Sequence, residues 1–229
     1  MAETRGDLAV AIDGPMGSGK STVAREVAKR LGFRYVDTGA MYRAVAAAAI
    51  RRGVALSDAA GLARLAQSVK IDLEPQADGF ERLLVGNDDV TASLRSVEVN
   101  RLVAQVAKVP QVREALGVIQ RHLGDTGRVV MEGRDIGSVI LPRARIKVFL
   151  TASIDARARR RQAELAAAGT AMALDDVRRI IEEDDRMAST RETAPLLVAP
   201  GAVVIDSTAL TVDQVVDEIV TLVERARGL

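Results

Sequence analysis

Short apolar runs alternate with segments of helical periodicity along most of the chain. Five apolar runs predict buried strands, at residues 8–12, 33–37, 128–131, 145–150 and 202–205. Segments whose apolar residues recur at helical spacing follow most of them, at residues 20–31, 38–49, 153–168 and 211–223. Strands that alternate with helices are typical of a parallel sheet covered by helices on its faces. The pattern therefore predicts an α/β fold.

Capping residues at the ends of these segments support the helix predictions. Gly32 and Gly169 follow the last apolar position of their segments, where glycine commonly ends a helix. Thr38 is a natural N-cap for the helix that follows the second strand. Thr211 and Gln214 have the spacing of a capping box ahead of the final helix.

The regular alternation is interrupted between residues 57 and 109. Residues 69–74 and 80–85 are two strand-like runs, with turn-forming residues at 75–79 between them, and residues 87–89 end the second run. Helix candidates lie on either side of this hairpin, at residues 57–68, 97–109 and 111–122. We therefore predict an antiparallel insertion within the parallel domain.

Composition limits the classes of partner. The 229 residues are 48% hydrophobic, enough for one domain with a sizeable core, but only 2% are aromatic and the net charge is +1. Few stacking platforms and no overall positive charge argue against a nucleic-acid partner. There is no cysteine, no apolar run of membrane-spanning length and no apolar signal segment at the start. The sole histidine, His122, is predicted to lie on a helix surface. We expect a cytoplasmic protein that does not bind membranes, with a monomer as the default.

The strongest motif follows the first strand. Gly14-x-x-x-x-Gly19-Lys20-Ser21 has the spacing of a P-loop, in which backbone N–H groups and the start of a helix surround phosphate groups. Glycines at 14, 17 and 19 permit positive φ angles and close approach of the phosphate oxygens. Lys20 is placed to reach the β- and γ-phosphates, and the Ser21 hydroxyl to reach Mg²⁺. The motif predicts binding of a nucleoside triphosphate.

Two polar stretches follow other predicted strands, at 37–43 (DTGAMYR) and 131–137 (MEGRDIG). Ligands of open α/β sheets bind at the carboxyl ends of the strands, so both stretches are candidates for an acceptor site. The second places a carboxylate and an arginine where they can hold Mg²⁺-bound water and a transferred phosphoryl group. Structural roles remain open: Arg134 and Asp135 can form an ion pair with each other, and Thr38 can serve only as a helix cap.

A dense arginine cluster occupies the helix predicted at 153–168. Its members are Arg157, Arg159, Arg160 and Arg161. Like charges three and four residues apart repel each other on one helix face, so a polyanionic ligand is an economical explanation. A solvated face on which these arginines pair with Glu164 or Asp155 is the alternative.

Taken together, the motifs resemble those of the bacterial-type cytidylate kinases. The resemblance covers nearly the whole chain and is carried by IDGPMGSGKST (12–22), DTGAMYRA (37–44), VPQVREAL (109–116), EGRDIGSVILPRARIKVFLTAS (132–153), TRETAPL (190–196) and VIDST (204–208). It includes the stretch near 69–90, where the family carries an enlarged insertion. A P-loop alone would be shared with many NTPases, but its combination with DTGAMYR and EGRDIG is specific.

The resemblance implies a three-layer P-loop nucleoside-monophosphate (NMP) kinase fold. Its parts are a parallel five-stranded core (1–37, 110–152 and 190–229), an antiparallel β-containing NMP-binding insertion (about 38–109) and a short lid (about 153–189). It also implies transfer of the γ-phosphoryl group of ATP to CMP or dCMP, with Mg²⁺.

The family's functional residues map onto matching positions of this chain. The ATP-binding residues are Gly14, Pro15, Met16, Gly17, Ser18, Gly19, Lys20, Ser21 and Thr22, of which Ser21 would meet the metal. The monophosphate-binding residues are Thr38, Tyr42, Arg43, Arg113, Arg134, Asp135 and Arg191. The lid arginines are Arg157 and Arg160, and the catalytic set is Lys20, Arg134, Asp135, Arg157 and Arg160.

Three positions depart from the family's pattern. Asp184 stands where the family has an arginine, Ala188 where it has an aspartate, and Ala104 where it often has a serine. The acid would repel phosphate, and the two alanines remove polar contacts worth about 0.5–1.5 kcal/mol each. We expect weaker monophosphate binding and looser base selection with the reaction class unchanged, and Arg186 is a candidate to compensate from a shifted helix.

Two other functions are compatible with the motifs. One is a P-loop kinase with shifted or relaxed monophosphate specificity. The other is a nucleotide-binding protein with weakened catalysis, which the residues at 104, 184 and 188 would explain.

Overall fold

The computed structural model describes residues 8–75 and 81–228. Its strands are β1 (Val10–Asp13), β2 (Arg34–Asp37), β3 (Ile71–Pro75), β4 (Glu81–Val85), β5 (Asp88–Asp89), β6 (Val129–Gly133), β7 (Ile146–Thr151) and β8 (Val203–Asp206). Its α-helices are α1 (Lys20–Leu31), α2 (Thr38–Arg51), α3 (Ala59–Ser68), α4 (Val97–Val106), α5 (Pro110–Asp125), α6 (Ile154–Ala167), α7 (Leu174–Ser189) and α8 (Val212–Arg227). The predicted order of strands and helices is confirmed.

The core is a five-stranded parallel sheet in the order β2-β6-β1-β7-β8. Apolar side chains of α1 and α8, such as Val27 and Ile219, pack on one face. On the other face, Met131 of β6 packs with Ile136 and Ile140, and Leu123 of α5 covers this cluster. Helices on both faces explain why these strands read as continuous apolar runs. The predicted α/β class with a five-stranded parallel sheet is therefore confirmed.

The insertion has its own core. β3, β4 and β5 form an antiparallel sheet whose buried residues, including Leu83, join those of α2 to α5 in one cluster. The predicted hairpin is present, but residues 87–89 do more than end the second run, because Asp88 and Asp89 pair with β4 as a third strand. The turn predicted at 75–79 lies largely outside the described residues. A separate small core, formed by Ala158, Val177 and Ile181, joins α6 to α7.

The ends of the helices agree with the sequence except at α2. Gly32 ends α1 in a left-handed conformation, and Thr211 and Gln214 form the predicted capping box. The prediction that Thr38 caps α2 is wrong, because Asp37 is the N-cap and its carboxylate accepts from the N–H of Ala40. The Thr38 hydroxyl instead donates to the Glu132 carbonyl on the neighbouring strand.

Two further findings concern the exposure of His122 and the apolar length of the helices. His122 is exposed near the end of α5, as predicted. Along residues 8–75 and 81–228, none of the helices combines the length and the apolar character needed to cross a bilayer.

Candidate active site

The P-loop joins β1 to α1, and its conformation depends on its glycines. Gly14, Gly17 and Gly19 have φ angles of 155°, 74° and 92°, so the predicted positive angles are confirmed. A Cβ at position 14 would lie 2.0 Å from the Leu150 carbonyl oxygen, and one at position 17 would lie 2.9 Å from that of Arg157. The loop therefore fits tightly between β7 and α6, which leaves its backbone N–H groups as the phosphate-facing surface.

Lys20 and the residues after it form the open side of the loop. The Lys20 ammonium donates to the Pro15 carbonyl at 2.8 Å, and burial, followed by the charge of Arg134, lowers the pKa of Lys20 to about 8. Ser21 and Thr22 are exposed in the first turn of α1. Ser18 is buried, and its hydroxyl has no hydrogen-bond partner. An exposed helix start with a lysine beside it is an anion-binding arrangement.

A second polar cluster lies near the P-loop, since the charge of Arg134 acts both on Lys20 and on Arg191. We call the space between this cluster and the P-loop the cleft. Arg113 of α5 forms a buried ion pair with Asp135, and its guanidinium lies 5.5 Å from the centre of the Tyr42 ring. Arg191 belongs to the same cluster, since its pKa is lowered first by burial and then by the positive charge of Arg113. The structure thus brings together residues of four separate segments that the sequence assigned to monophosphate binding.

This cluster contains buried polar atoms that no protein group satisfies. They are Nη1 of Arg134 and Nε of Arg191. An unsatisfied buried donor costs about 1–3 kcal/mol, so native proteins rarely leave several in one place. Two guanidinium donors of this kind in one cluster fit a bound anionic ligand better than a purely structural role.

Two predicted acceptor residues are held by neighbouring protein groups. The Thr38 hydroxyl donates to the Glu132 carbonyl at 2.7 Å, and Thr38 is buried. Arg43 pairs with Asp37 at 2.6 Å, and both side chains are about a quarter exposed. Thr38 therefore fixes the start of α2 against β6, while Arg43 keeps a partly exposed guanidinium at the edge of the cleft.

The two arginines predicted for the lid contact the P-loop itself. Arg157 is buried and donates to the carbonyls of Ala152 and Met16, and Arg160 donates to the Ser18 carbonyl and to Ser207. They fix α6 against the back of the phosphate-binding loop. The solvated-face interpretation holds for their neighbour, because Arg161 pairs with Glu164 on the exposed side.

Comparison with known proteins identifies the family. A model of the family described as cytidylate kinase matches residues 10–225. The chain belongs to the cytidylate kinase family. A cytidylate kinase from Pelotomaculum thermopropionicum is 51% identical over 95% of this chain and 96% of its own length. Those from Symbiobacterium thermophilum and Geobacillus kaustophilus are 47% and 46% identical, and the matches cover 96% of this chain and 97% and 98% of those proteins.

A solved structure supports the fold alone. An uncharacterized protein from Eubacterium ventriosum superposes with a TM-score of 0.52 at 12% identity, covering 96% of this chain and 99% of that chain. The match extends over the sheet and the insertion alike. It adds no information on the substrate.

The departures from the family's pattern now have positions in the structure. Asp184 pairs with Arg134 at 2.8 Å, and the buried Ala188 accepts a hydrogen bond at its carbonyl from the N–H of Leu196. Ala104 is half-buried on α4. Arg186 does not replace the arginine that is missing at position 184. Two residues along a helix correspond to a rotation of about 200°, so Arg186 points away from the side of Asp184. It pairs with Glu183 at the surface. The expectation for Arg186 is wrong, and the expected effects on binding stay predictions.

Two buried carboxylates were not recognised from the sequence. Glu132 accepts from the Tyr35 hydroxyl at 2.6 Å, and burial, reinforced by Asp37, raises its pKa, while Lys20 and Ser21 oppose the rise. Asp13 accepts from the N–H groups of Ile136 and Gly137, both at 2.7 Å. An acidic residue at the end of a strand is a general signal of a buried, hydrogen-bonded carboxylate. The partners of these two lie more than 90 residues away, so the sequence alone does not identify them.

The residues present can take a metal ion beside the phosphates, although they do not form a complete metal site. In residues 8–75 and 81–228 there is no group of three or more histidine, cysteine or acidic side chains arranged to hold a metal. An ion here would bind the exposed Ser21 hydroxyl together with oxygens of a bound nucleotide, which suits the preference of Mg²⁺ for oxygen ligands and phosphates.

Asp13 links the P-loop to the segment 134–137 that follows β6, and its replacement should reveal this link. It ends β1 just before Gly14, and its two hydrogen bonds hold the backbone that follows Arg134 and Asp135. An asparagine accepts through one oxygen only and turns an N–H toward the second donor. We expect Asp13→Asn to lower kcat with CMP by about tenfold, because one buried N–H of this segment loses its acceptor and the segment is held less firmly. The exposed Asp125→Asn is the control and should leave kcat unchanged.

The same variant gives a pH test. Burial raises the pKa of Asp13 to about 6, although the hydrogen bonds from the Gly137 and Ile136 N–H groups oppose the rise. Between about pH 4 and pH 6 the folded protein therefore binds more protons at Asp13 than the unfolded chain, so this contribution to stability falls as pH rises. The unfolding free energy of wild type minus that of Asp13→Asn should drop by about 2 kcal/mol across the window. Urea unfolding at each pH measures it, and a flat difference would contradict the assignment.

Proposed function

We propose that this chain transfers the γ-phosphoryl group of ATP to the 5′-phosphate of CMP or dCMP, giving ADP and CDP or dCDP. The observation that carries the proposal is the cleft with a P-loop on one side and the unsatisfied guanidinium nitrogens of Arg134 and Arg191 on the other. Relatives named cytidylate kinase that match this chain almost end to end support cytidine as the base.

The reaction needs positioning and charge neutralisation more than it needs a base. A phosphate oxygen of the acceptor is already an anionic nucleophile; it forms the new P–O bond as the bond from the γ-phosphorus to the bridging oxygen breaks and ADP leaves. Lys20 and Arg134 face the phosphates from the two sides of the cleft and stabilise charge on the transferred group. Mg²⁺, when bound beside Ser21, would neutralise charge on the ATP phosphates.

Recognition of the acceptor is assigned to the second cluster. Arg134 and Arg43 bind the monophosphate, and Tyr42, Arg113, Asp135 and Arg191 bind the nucleoside. The buried pair between Arg113 and Asp135 keeps both side chains in one orientation, so the cost of ordering them is met before the substrate binds. We keep Arg157 and Arg160 in the catalytic set as lid arginines, and their hydrogen bonds to the Met16 and Ser18 carbonyls of the P-loop support this assignment.

The predicted division into parts also remains a proposal. We assign a core (1–37, 110–152 and 190–229), an insertion (about 38–109) and a lid (about 153–189). Separate apolar clusters in the core and in the lid support this division, whereas the cluster of the insertion also includes Val112 and Leu116 of α5. A cytoplasmic monomer that binds neither membranes nor nucleic acid is likewise our expectation, and light scattering checks the oligomeric state.

A coupled assay of ADP release tests the function directly. The protein is supplied with ATP and Mg²⁺ and a panel of CMP, dCMP, UMP, AMP and GMP, and controls omit the acceptor. We expect release with CMP and dCMP and little without an acceptor. Release with another monophosphate would support the kinase of shifted specificity, and binding of CMP without turnover would support the nucleotide-binding protein. We disfavour both, because relatives that match over nearly the full chain are named cytidylate kinase.

A further inference from the structure

An ion pair spans the cleft at the proposed acceptor site. Nη2 of Arg134, in the loop after β6, lies 2.8 Å from a carboxylate oxygen of Asp184 on α7. The side chains are 24% and 21% exposed, so the pair is shielded from water more than most surface pairs. The next residue, Asp185, pairs at 2.7 Å with Arg157, which is itself bonded to the Met16 carbonyl of the P-loop. Asp184 and Asp185 are consecutive in α7, and each therefore pairs with an arginine from a different part of the chain.

The carboxylate binds the group that a phosphate would bind. A guanidinium recognises carboxylate and phosphate oxygens through the same N–H groups. Asp184 takes Nη2 of Arg134 and leaves the buried Nη1 without a partner. Its charge also acts on Lys20, whose pKa it raises against the effect of burial. Asp184 thus acts on both cations that are assigned to the phosphates, by contact with Arg134 and through its charge on Lys20.

We propose that Asp184 competes with the acceptor phosphate for Arg134, and that the nucleotide must displace it in order to bind. The inference rests on the proposed function for the identity of the acceptor. A dianionic phosphate and the carboxylate on one guanidinium repel each other, so each weakens the contact of the other with Arg134. Binding of the monophosphate therefore breaks the contact that holds this part of α7 over the cleft, and Asp184 sets both the affinity for the acceptor and its dependence on salt.

The test compares CMP binding by wild type, Asp184→Asn and Asp184→Glu, measured by calorimetry without ATP. Removing one negative charge beside a dianion should lower the Kd for CMP by about tenfold. Asp184→Glu keeps the charge and should bind within about threefold of wild type. Glu183→Gln is the matched control, because Glu183 is a half-exposed acid of the same helix that pairs only with Arg186 among the described residues. It should leave the Kd unchanged.

Cytidine and salt distinguish competition at the phosphate from a general change in the site. Cytidine has no phosphate, so its affinity should be the same in wild type and Asp184→Asn. Raising KCl from about 50 to about 300 mM should weaken CMP binding more in Asp184→Asn than in wild type, where salt also weakens the competing pair. Thermal unfolding checks that the variant is folded, and Asp184→Ser replaces it if it is not.

The outcomes separate the inference from the function. A Kd for CMP that is unchanged or higher in Asp184→Asn overturns the inference, because Asp184 would then be neutral or would assist binding. An equal gain in affinity for cytidine also overturns it. If the wild type binds CMP but releases no ADP, the proposed function fails, whereas the comparison of binding constants still decides the role of Asp184.

Discussion

Replacing Lys20 with methionine should lower kcat with CMP by about 10³-fold, the scale seen when one preorganised charge or donor at a reacting group is removed. The methionine keeps the unbranched side chain and removes only the ammonium. In the structure Lys20 is held over the P-loop by the Pro15 carbonyl and lies near Arg134, so the variant leaves one side of the transferred group without a cation. Steady-state kinetics with saturating ATP and CMP measure the effect.

The control is Lys29→Met, which removes an exposed lysine from the last turn of the same helix. It should keep kcat within about twofold, since exposed charges contribute little. Circular dichroism and thermal unfolding should show both variants folded. A Lys20→Met enzyme that retains more than about a tenth of wild-type kcat would show that Lys20 serves only to bind ATP, and the mechanism proposed above would need another cation at the γ-phosphate.

Replacing Arg113 with methionine should cost stability as well as activity. The ion pair of Arg113 with Asp135 is buried, with side chains 6% and 7% exposed. Removal of one partner leaves an uncompensated buried charge, which typically costs about 3–5 kcal/mol. The Tyr42 ring also loses the cation beside it. Urea unfolding measures the loss, and KM for CMP should rise by at least about 100-fold as the nucleoside site loses its shape.

A second variant separates the two effects of this pair. Arg113→Met combined with Asp135→Leu removes both charges, and buried pairs replaced in this way often regain their stability. We expect most of the unfolding free energy to return, but not the activity. The surface pair gives the comparison, because Arg186→Met breaks an exposed contact with Glu183 and should cost about 0–1 kcal/mol. A double variant with near wild-type KM for CMP would remove Arg113 and Asp135 from the acceptor site.

The sequence by itself determined most of the local structure and the donor site. Strand and helix patterns depend on neighbours within a few residues, so the order of elements, the end of α1 at Gly32 and the capping box at Thr211 follow from the chain directly. The P-loop is also local, since eight consecutive residues supply the glycines, the lysine and the hydroxyl. Its three positive φ angles are those the spacing predicts.

The tertiary structure alone decided how the charged side chains are paired. Arg134 and Asp135 are adjacent in sequence, yet each pairs elsewhere, with Asp184 and with Arg113. Asp37 rather than Thr38 caps α2, because the Thr38 hydroxyl is taken by a carbonyl 94 residues away. Both of these neighbours are good caps by type, so only the position of β6 selects between them.

Only the tertiary structure decided which residues connect the two sides of the cleft. Asp13 joins the P-loop to a backbone segment 123 residues further along, and α7 brings Asp184 onto Arg134 across 50 residues. A sequence pattern shows which side chains are charged but not which of many opposite charges each one meets, because that depends on the packing of distant elements. The ATP side of the site can therefore be predicted from the sequence. The pairing of charges on the acceptor side depends on the tertiary structure.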